Sequence, residues 1–371
     1  MKKILLVASV AVLVTSVAAI VLFELYQPTH RMEEKPINQK RNVILGLRKV
    51  DWSDVERQNE FLNCVISAME KLGKEYDYDY LACISGCSFR ACSPLHGITP
   101  AIYHVTNDIA IIEHTFKMLG YNVTLHTRSN YETDKKLIID SIGKGVPVLT
   151  FGGVVSCSEC CLISGYDDDG AVLLGYSPFM YVKEDHNEPD DSTGYFRKSN
   201  WHDSFFKEAN GKILIIGEPT TSLSKEEIIK ESLKMAVKLI RGTASQSTDY
   251  ATGYAGHTRY AELVCKDTDD SFLLYLMIVC NNCNLYQDKL YVPRFLREAK
   301  DVLKDKADML EECAKIYDQI SDLRREMPQY VAEDFSMGER ILDKEIRNQY
   351  VQRVYKIRDL EKRAADLFEK M

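Results

Sequence analysis

The chain has 371 residues, 45% hydrophobic and 27% charged, with 47 Lys and Arg against 55 Asp and Glu for a formal net charge of −8. An ordinary apolar fraction at this length excludes a disordered chain, a fibrous repeat and a small disulfide-stapled scaffold. The acidic balance, without a basic stripe, excludes a general affinity for nucleic acid, which depends on clustered cations displacing counterions.

Residues 4–23 form an uncharged apolar run behind Lys2 and Lys3. As a helix the run spans roughly 30 Å, the thickness of a hydrocarbon core. The chain stays apolar beyond the small residues Ser16, Val17 and Ala18, so an uncleaved anchor over residues 1–24 is expected rather than a removed signal peptide. Lys2 and Lys3 ahead of the span predict a cytoplasmic N-terminus, and hence a single-pass cell-membrane protein with an extracytoplasmic body. Residues 25–45 are polar, contain Pro28 and Pro36, and read as a stalk.

From residue 46 to about 220 helical and extended patterns mix. Residues 61–72 place Phe61, Leu62, Val65, Ala68, Met69 and Leu72 at helical spacing, with Cys64 near the start. Residues 109–119 repeat the pattern and stop at Gly120. Short apolar strands are predicted at 122–126, 146–151, 161–165, 171–175 and 213–216, giving an α+β domain with an antiparallel sheet. Residues 221–371 read as all-helical. Ser224 and Glu227 have capping-box spacing, and the stripes along 292–325 and 341–371, interrupted by Pro328 and Gly338, predict an antiparallel helical hairpin. A Gly/Tyr-rich stretch with Tyr250, Gly253, Tyr254, Gly256, His257 and Tyr260 is expected either to line a ligand pocket or to serve packing.

Four segments carry a family likeness: Asn63-Cys64-Val65 in a helix, Gly145-Val146-Pro147-Val148-Leu149 entering a strand, Gly165-Tyr166-Asp167-Asp168-Asp169-Gly170 leaving one, and Ser85-Gly86-Cys87-Ser88-Phe89-Arg90. Over residues 46–220 they resemble the papain-like cysteine peptidases of the C39 type, and more closely the butirosin biosynthesis protein H N-terminal family. The resemblance implies a papain-like fold with Cys64 as nucleophile. It also implies a cleft bordered by Cys64, Ser85, Gly86, Phe89 and Glu159, with Tyr166 as a further binding residue. Such chemistry needs a thiolate, favoured by a helix N-terminus and a neighbouring imidazolium, and a third group to orient the base. Six residues before Gly165, where the peptidases have His, stands Glu159, and where they have Asp-Pro stands Ser177-Pro178. A carboxylate beside Cys64 would raise the thiol pKa by like-charge repulsion. The expectation is therefore a membrane-anchored, degenerate enzyme that binds a peptide or small acyl ligand, without a cofactor. The alternative is a Cys64-dependent acyltransferase or amidase with a non-standard base drawn from His96, His104, His114 or His126.

Eleven cysteines, an odd number, leave at least one thiol unpaired within the chain. Cys83, Cys87 and Cys92 cluster, as do Cys157, Cys160 and Cys161, and Cys280 and Cys283 form a further pair. Zinc ligation, disulfides and buried thiols are all open to these spacings, although the two Cys-x-x-Cys pairs lie much further apart than in common zinc ribbons. No phosphate loop, dinucleotide fingerprint or zincin motif occurs. The acidic runs at 167–169 and 184–191 read as solvated turns.

Overall fold

The computed structural model describes residues 41–371 apart from positions 52, 55, 97–108, 153, 156–159, 181–186, 209, 245–248 and 332–334. The expected anchor, Glu159 and His104 lie outside the described residues. Among the described residues no helix is long and apolar enough to cross a membrane.

In chain order the elements are β1 (Asn42–Val43), α1 (Glu60–Lys71), α2 (Tyr78–Ile84), β2 (Cys92–Pro94), α3 (Ile109–Leu119), β3 (Tyr121–Thr127), α4 (Tyr131–Gly143), β4 (Val148–Phe151), β5 (Cys161–Asp167), β6 (Val172–Tyr176), β7 (Asn187–Pro189), β8 (Phe196–Ser199), α5 (Phe205–Glu208) and β9 (Lys212–Pro219). Then follow α6 (Lys225–Arg241), β10 (Tyr250–Thr252), α7 (Gly253–Cys265), α8 (Ser271–Tyr286), α9 (Val292–Lys300), α10 (Ala307–Glu326) and α11 (Lys344–Phe368). The fold is α+β, as the pattern predicts, and it divides into two compact units. One holds the residues up to Tyr76 with Asn122–Glu218; the other holds Asp77–Tyr121 with Pro219–Met371.

The first unit is built on an eight-stranded sheet ordered β3-β9-β4-β5-β6-β8-β7, with β1 also on β5. Successive strand residues face opposite sides, and every residue of β5 except Tyr166 is buried, so both faces of this strand are covered. β4 pairs antiparallel with its first half, Val148 opposite Ile163, and β1 with its second, Val43 opposite Gly165. The β5–β6 ladder shifts register between Ile163 and Gly165, and the Ser164 hydroxyl there donates to the Leu174 carbonyl at 3.3 Å. Gly175 is required in this ladder, because a Cβ would stand 2.0 Å from the Leu162 carbonyl oxygen. α1 begins where Asn59 Oδ1 accepts from the Leu62 amide, and Phe61 of α1 packs on Phe151 of β4 with ring centroids 5.9 Å apart. Asp168, Asp169 and Asp191 are exposed, as expected of solvated turns, but Asp167 and Asp190 are not. Asp167 is buried and accepts from Arg197 at 2.5 Å and Arg41 at 3.5 Å, while Arg41 also bonds Asp190 and holds that carboxyl well below the usual carboxylate range.

In the second unit the capping box of α6 is present with both reciprocal bonds, and Gly242 ends the helix in the left-handed region. The two C-terminal stripes form an antiparallel pair: Tyr317 stacks on Phe368, and further along α10 Glu326 meets Arg353. The first stripe is split into α9 and α10 by residues 301–306, a break the periodicity did not disclose. Residues 77–121, expected in the first domain, belong to this unit. β2 pairs with β10, Tyr78 Oη donates to Asp288 at 2.8 Å, and Ser232 Oγ donates to the Ile84 carbonyl at 3.3 Å.

A charged group lies in the core of this helical unit. Glu361 of α11 accepts from Lys289 Nζ at 2.6 Å and from His257 Nε2 at 2.7 Å, and the other imidazole nitrogen meets Tyr286 Oη at 3.1 Å. All four side chains are fully buried. Burial alone would push the Glu361 carboxyl up, but Lys289 and His257 together hold it below its ordinary value. The ionised carboxylate only accepts, so His257 donates through Nε2 and takes the tyrosine hydroxyl on Nδ1. Removing one partner of a buried pair strands the other charge, whereas replacing the pair by apolar groups is close to neutral. Lys289→Met is expected to destabilise the chain by about 3–5 kcal/mol in denaturant unfolding, and Lys289→Met combined with Glu361→Leu to recover most of that loss.

Candidate functional site

The positions that the family likeness marks come together at the head of β5 in the first unit. β5 and β6 run antiparallel with Leu162 opposite Tyr176, so extending the register by one residue sets Cys161 across from Ser177. The Ser177 hydroxyl stands close enough to the Cys161 thiol to draw its pKa down, and it also accepts from the Phe179 amide at 3.2 Å. α1 brings Cys64 to the same place: its Sγ donates to the Cys160 carbonyl oxygen at 3.7 Å. Of the positions that the likeness marks, Cys64 and Ser177 are thus gathered there beside Cys160 and Cys161. Glu159 itself lies outside the described residues.

At Cys160 and Cys161 the chemistry is that of neutral thiols. Cys64 and Cys161 are wholly buried and Cys160 is 3% exposed. Burial pushes the Cys161 thiol up to about 11, against the pull of the Ser177 hydroxyl and the backbone at Val154 and Val155, and it pushes Cys160 well above its ordinary value. Cys64 is the fifth residue of α1 and not at its terminus, so its own amide sits inside the helical ladder and the dipole's stabilising end lies a turn away. A serine hydroxyl carries no charge with which to orient or stabilise an imidazolium.

Among the described residues no imidazole is hydrogen-bonded to Cys64. His126 is half-buried on β3, whereas His96 and His114 belong to the second unit. His202 and Asp134 form a buried pair at 2.9 Å that sequence reading did not single out. It is closed to substrate: Arg128 occupies the second ring nitrogen at 2.9 Å, and Asp134 also caps Ser129 through amide and hydroxyl. No group of three or more His, Cys, Asp or Glu side chains among the described residues is arranged to hold a metal ion.

The remaining expected binding residues are committed to local structure. Ser85, Gly86 and Phe89 belong to the second unit, unlike Cys64 and Tyr166. Ser85 Oγ donates to the Ala82 carbonyl and accepts from the Cys87 amide, which shapes the turn after α2. Gly86 adopts φ +92°, and a Cβ there would stand 2.7 Å from Leu239 Cδ1. Phe89 is wholly buried, edge-on to Tyr317 and Phe368. Tyr166 is half-buried on β5, opposite Asn42 and Leu173. Comparison with family models and with curated proteins returns no match for this chain.

His114 lines a cavity of about 670 Å³ in the second unit with Lys117, Glu231, Met235, Lys238 and Phe368 among its walls. Desolvation pulls its imidazole down to about 4, opposed by its hydrogen bond to the Ile84 backbone. Between 6.5 and 4 the unfolded chain binds this proton and the folded chain does not, so the contribution of His114 is complete above pH 6.5 and is lost as pH falls towards 4. The stability difference between wild type and His114→Gln is therefore expected to shift in favour of the variant over that interval and to be flat from pH 7 to 8, as measured by thermal unfolding.

Proposed function

We propose that the first unit is a papain-like domain of the C39 and butirosin protein H type that has lost peptidase chemistry, and that the protein binds a peptide or small acyl ligand at a membrane to which residues 4–23 anchor it. The observation that carries this reading is the meeting of Cys64, Cys160 with Cys161, and Ser177. In this reading the arrangement retains the place of a nucleophile–base–orienter set, and among the described residues no imidazole is hydrogen-bonded to Cys64 to take its proton. An antiparallel sheet packed against a helix that carries the cysteine is consistent with that ancestry, and the buried, uncharged site favours holding a ligand over turning it over. Membrane attachment rests on the length and apolarity of residues 4–23 and on Lys2 and Lys3 before them.

The test is labelling of the intact chain with iodoacetamide at neutral pH, followed by peptide mapping, together with a pool of N-acyl dipeptides in equilibrium dialysis. Cys64 is expected to label more slowly than a model thiol, and wild type and Cys64→Ala to retain acyl peptides without cleaving them. Fast labelling at Cys64, with an acyl-enzyme burst that Cys64→Ala abolishes, would overturn the reading and restore the acyltransferase or amidase alternative.

A further inference from the structure

Residues 41–44, expected to end the stalk, are built into the first unit. Asn42 and Val43 lie antiparallel to Tyr166 and Gly165 of β5, and the Ile44 amide donates to the Ser164 carbonyl at 2.7 Å. The Ile44 carbonyl accepts from Tyr195 Oη at 2.8 Å, and the Ile44 side chain is buried. Gly165 permits this approach, because a Cβ there would stand 2.8 Å from the Asn42 carbonyl oxygen. Arg41 is gripped by side chains. One terminal nitrogen of its guanidinium donates to Asp190 at 2.8 Å and to Ser192 at 3.0 Å, the other to Asp190 at 3.1 Å and to Asp167 at 3.5 Å. Asp167 and Asp190 are both buried. Asp167 also has Arg197, whereas Asp190 has otherwise the hydroxyls of Ser192 and Thr193. The attachment is short: two half-buried ladder residues, followed by Leu45, which is 61% exposed. From Leu45 onward the chain is fastened to α1 instead, where Lys71 Nζ and Ser67 Oγ donate to the carbonyls of Leu45 and Arg48 at 3.0 and 2.7 Å. Residues 41–44 can therefore leave β5 while α1 and its fastening stay in place.

We propose that the edge of β5 over residues 164–166, with the carboxylates of Asp167 and Asp190 at its end, is a binding site for an extended peptide that carries an arginine, closed in this structure by the chain's own residues 41–44. A strand added to a sheet edge gains affinity from main-chain hydrogen bonds and selectivity from the places that receive its side chains. At this edge two buried carboxylates receive a guanidinium through parallel donors, a geometry that the single ammonium of lysine does not reproduce. Three residues further along the bound strand, the position of Ile44 takes a branched apolar side chain. The partner is thus a protein segment of the form Arg-x-x-Ile. The chain's own segment competes with it, and the partner's apparent affinity falls with the fraction of molecules in which that segment is open. The site is apart from the head of β5 and does not depend on any ligand held beside Cys64.

The test uses the full chain in mild detergent and a fluorescein-labelled Arg-Asn-Val-Ile-Leu-Gly peptide, followed by fluorescence anisotropy. Arg41→Ala loosens the chain's own segment by removing its charge-assisted bonds, and is expected to bind the peptide about tenfold more tightly than wild type. Asp190→Asn added to Arg41→Ala, or lysine in place of the peptide's arginine, is expected to cancel that gain. Hydrogen exchange on the wild type needs no variant: the Ile44 amide is expected to exchange about tenfold faster than that of Ile163, because the segment opens while the sheet stays closed. Equal binding by wild type and a natively folded Arg41→Ala would overturn the proposal. So would equal protection of Ile44 and Ile163, and this measurement decides alone if Arg41→Ala fails to fold.

Discussion

Strand β5 is buried on both faces except at Tyr166, and this constraint organises the first unit. Its backbone groups must be met by neighbouring strands along its whole length, which is why β4 serves one half, β1 the other, and β6 runs beside both. The ladder to β6 closes only because residue 175 has no side chain. The same register brings position 177 to the thiol at position 161, while α1, packed on β4, delivers Cys64. The site is a consequence of how the central strand satisfies its hydrogen bonds.

Desolvation then decides what this site can do. A thiol surrounded by apolar atoms keeps its proton unless a cation stands beside it, and the groups facing Cys160 and Cys161 are other thiols, a hydroxyl and backbone. In the helical unit the same cost is handled differently. Glu361 remains ionised in full burial because Lys289 and His257 both bond to it. Charge can persist in a dry core where partners converge, and the head of β5 has none of opposite sign among the described residues.

Much of the architecture was legible in the sequence. The helices carrying Cys64 and Phe116, the strands expected at 122–126, 146–151, 161–165, 171–175 and 213–216, the Ser224–Glu227 box and the C-terminal hairpin all announce themselves by periodicity or capping. α2, β2 and β10 did not, because each is very short and gains its order from distant partners: Tyr78 from Asp288, Thr252 from Cys92. The family likeness sets the segment around Ser85 to Phe89 with Cys64, whereas its packing partners Leu239, Tyr317 and Phe368 lie far along the chain. Cys64, Cys160 and Ser177 could be named from the sequence. Their meeting could not, since it depends on the β5–β6 register. The pairs His202 with Asp134 and His257 with Glu361 left no local signal at all, being separated by 68 and 104 positions.

The order of synthesis gives the buried cluster around Glu361 a further meaning. Both donors to the carboxylate precede it, Lys289 by 72 residues and His257 by 104. As the chain emerges from the ribosome, an ammonium group and an imidazole destined for a dry interior exist before the anion that permits their burial, and the helices that bear them gain little by closing early. The second unit therefore completes its core only once α11 has been made, so anything that engages the growing chain meets it with that surface still open.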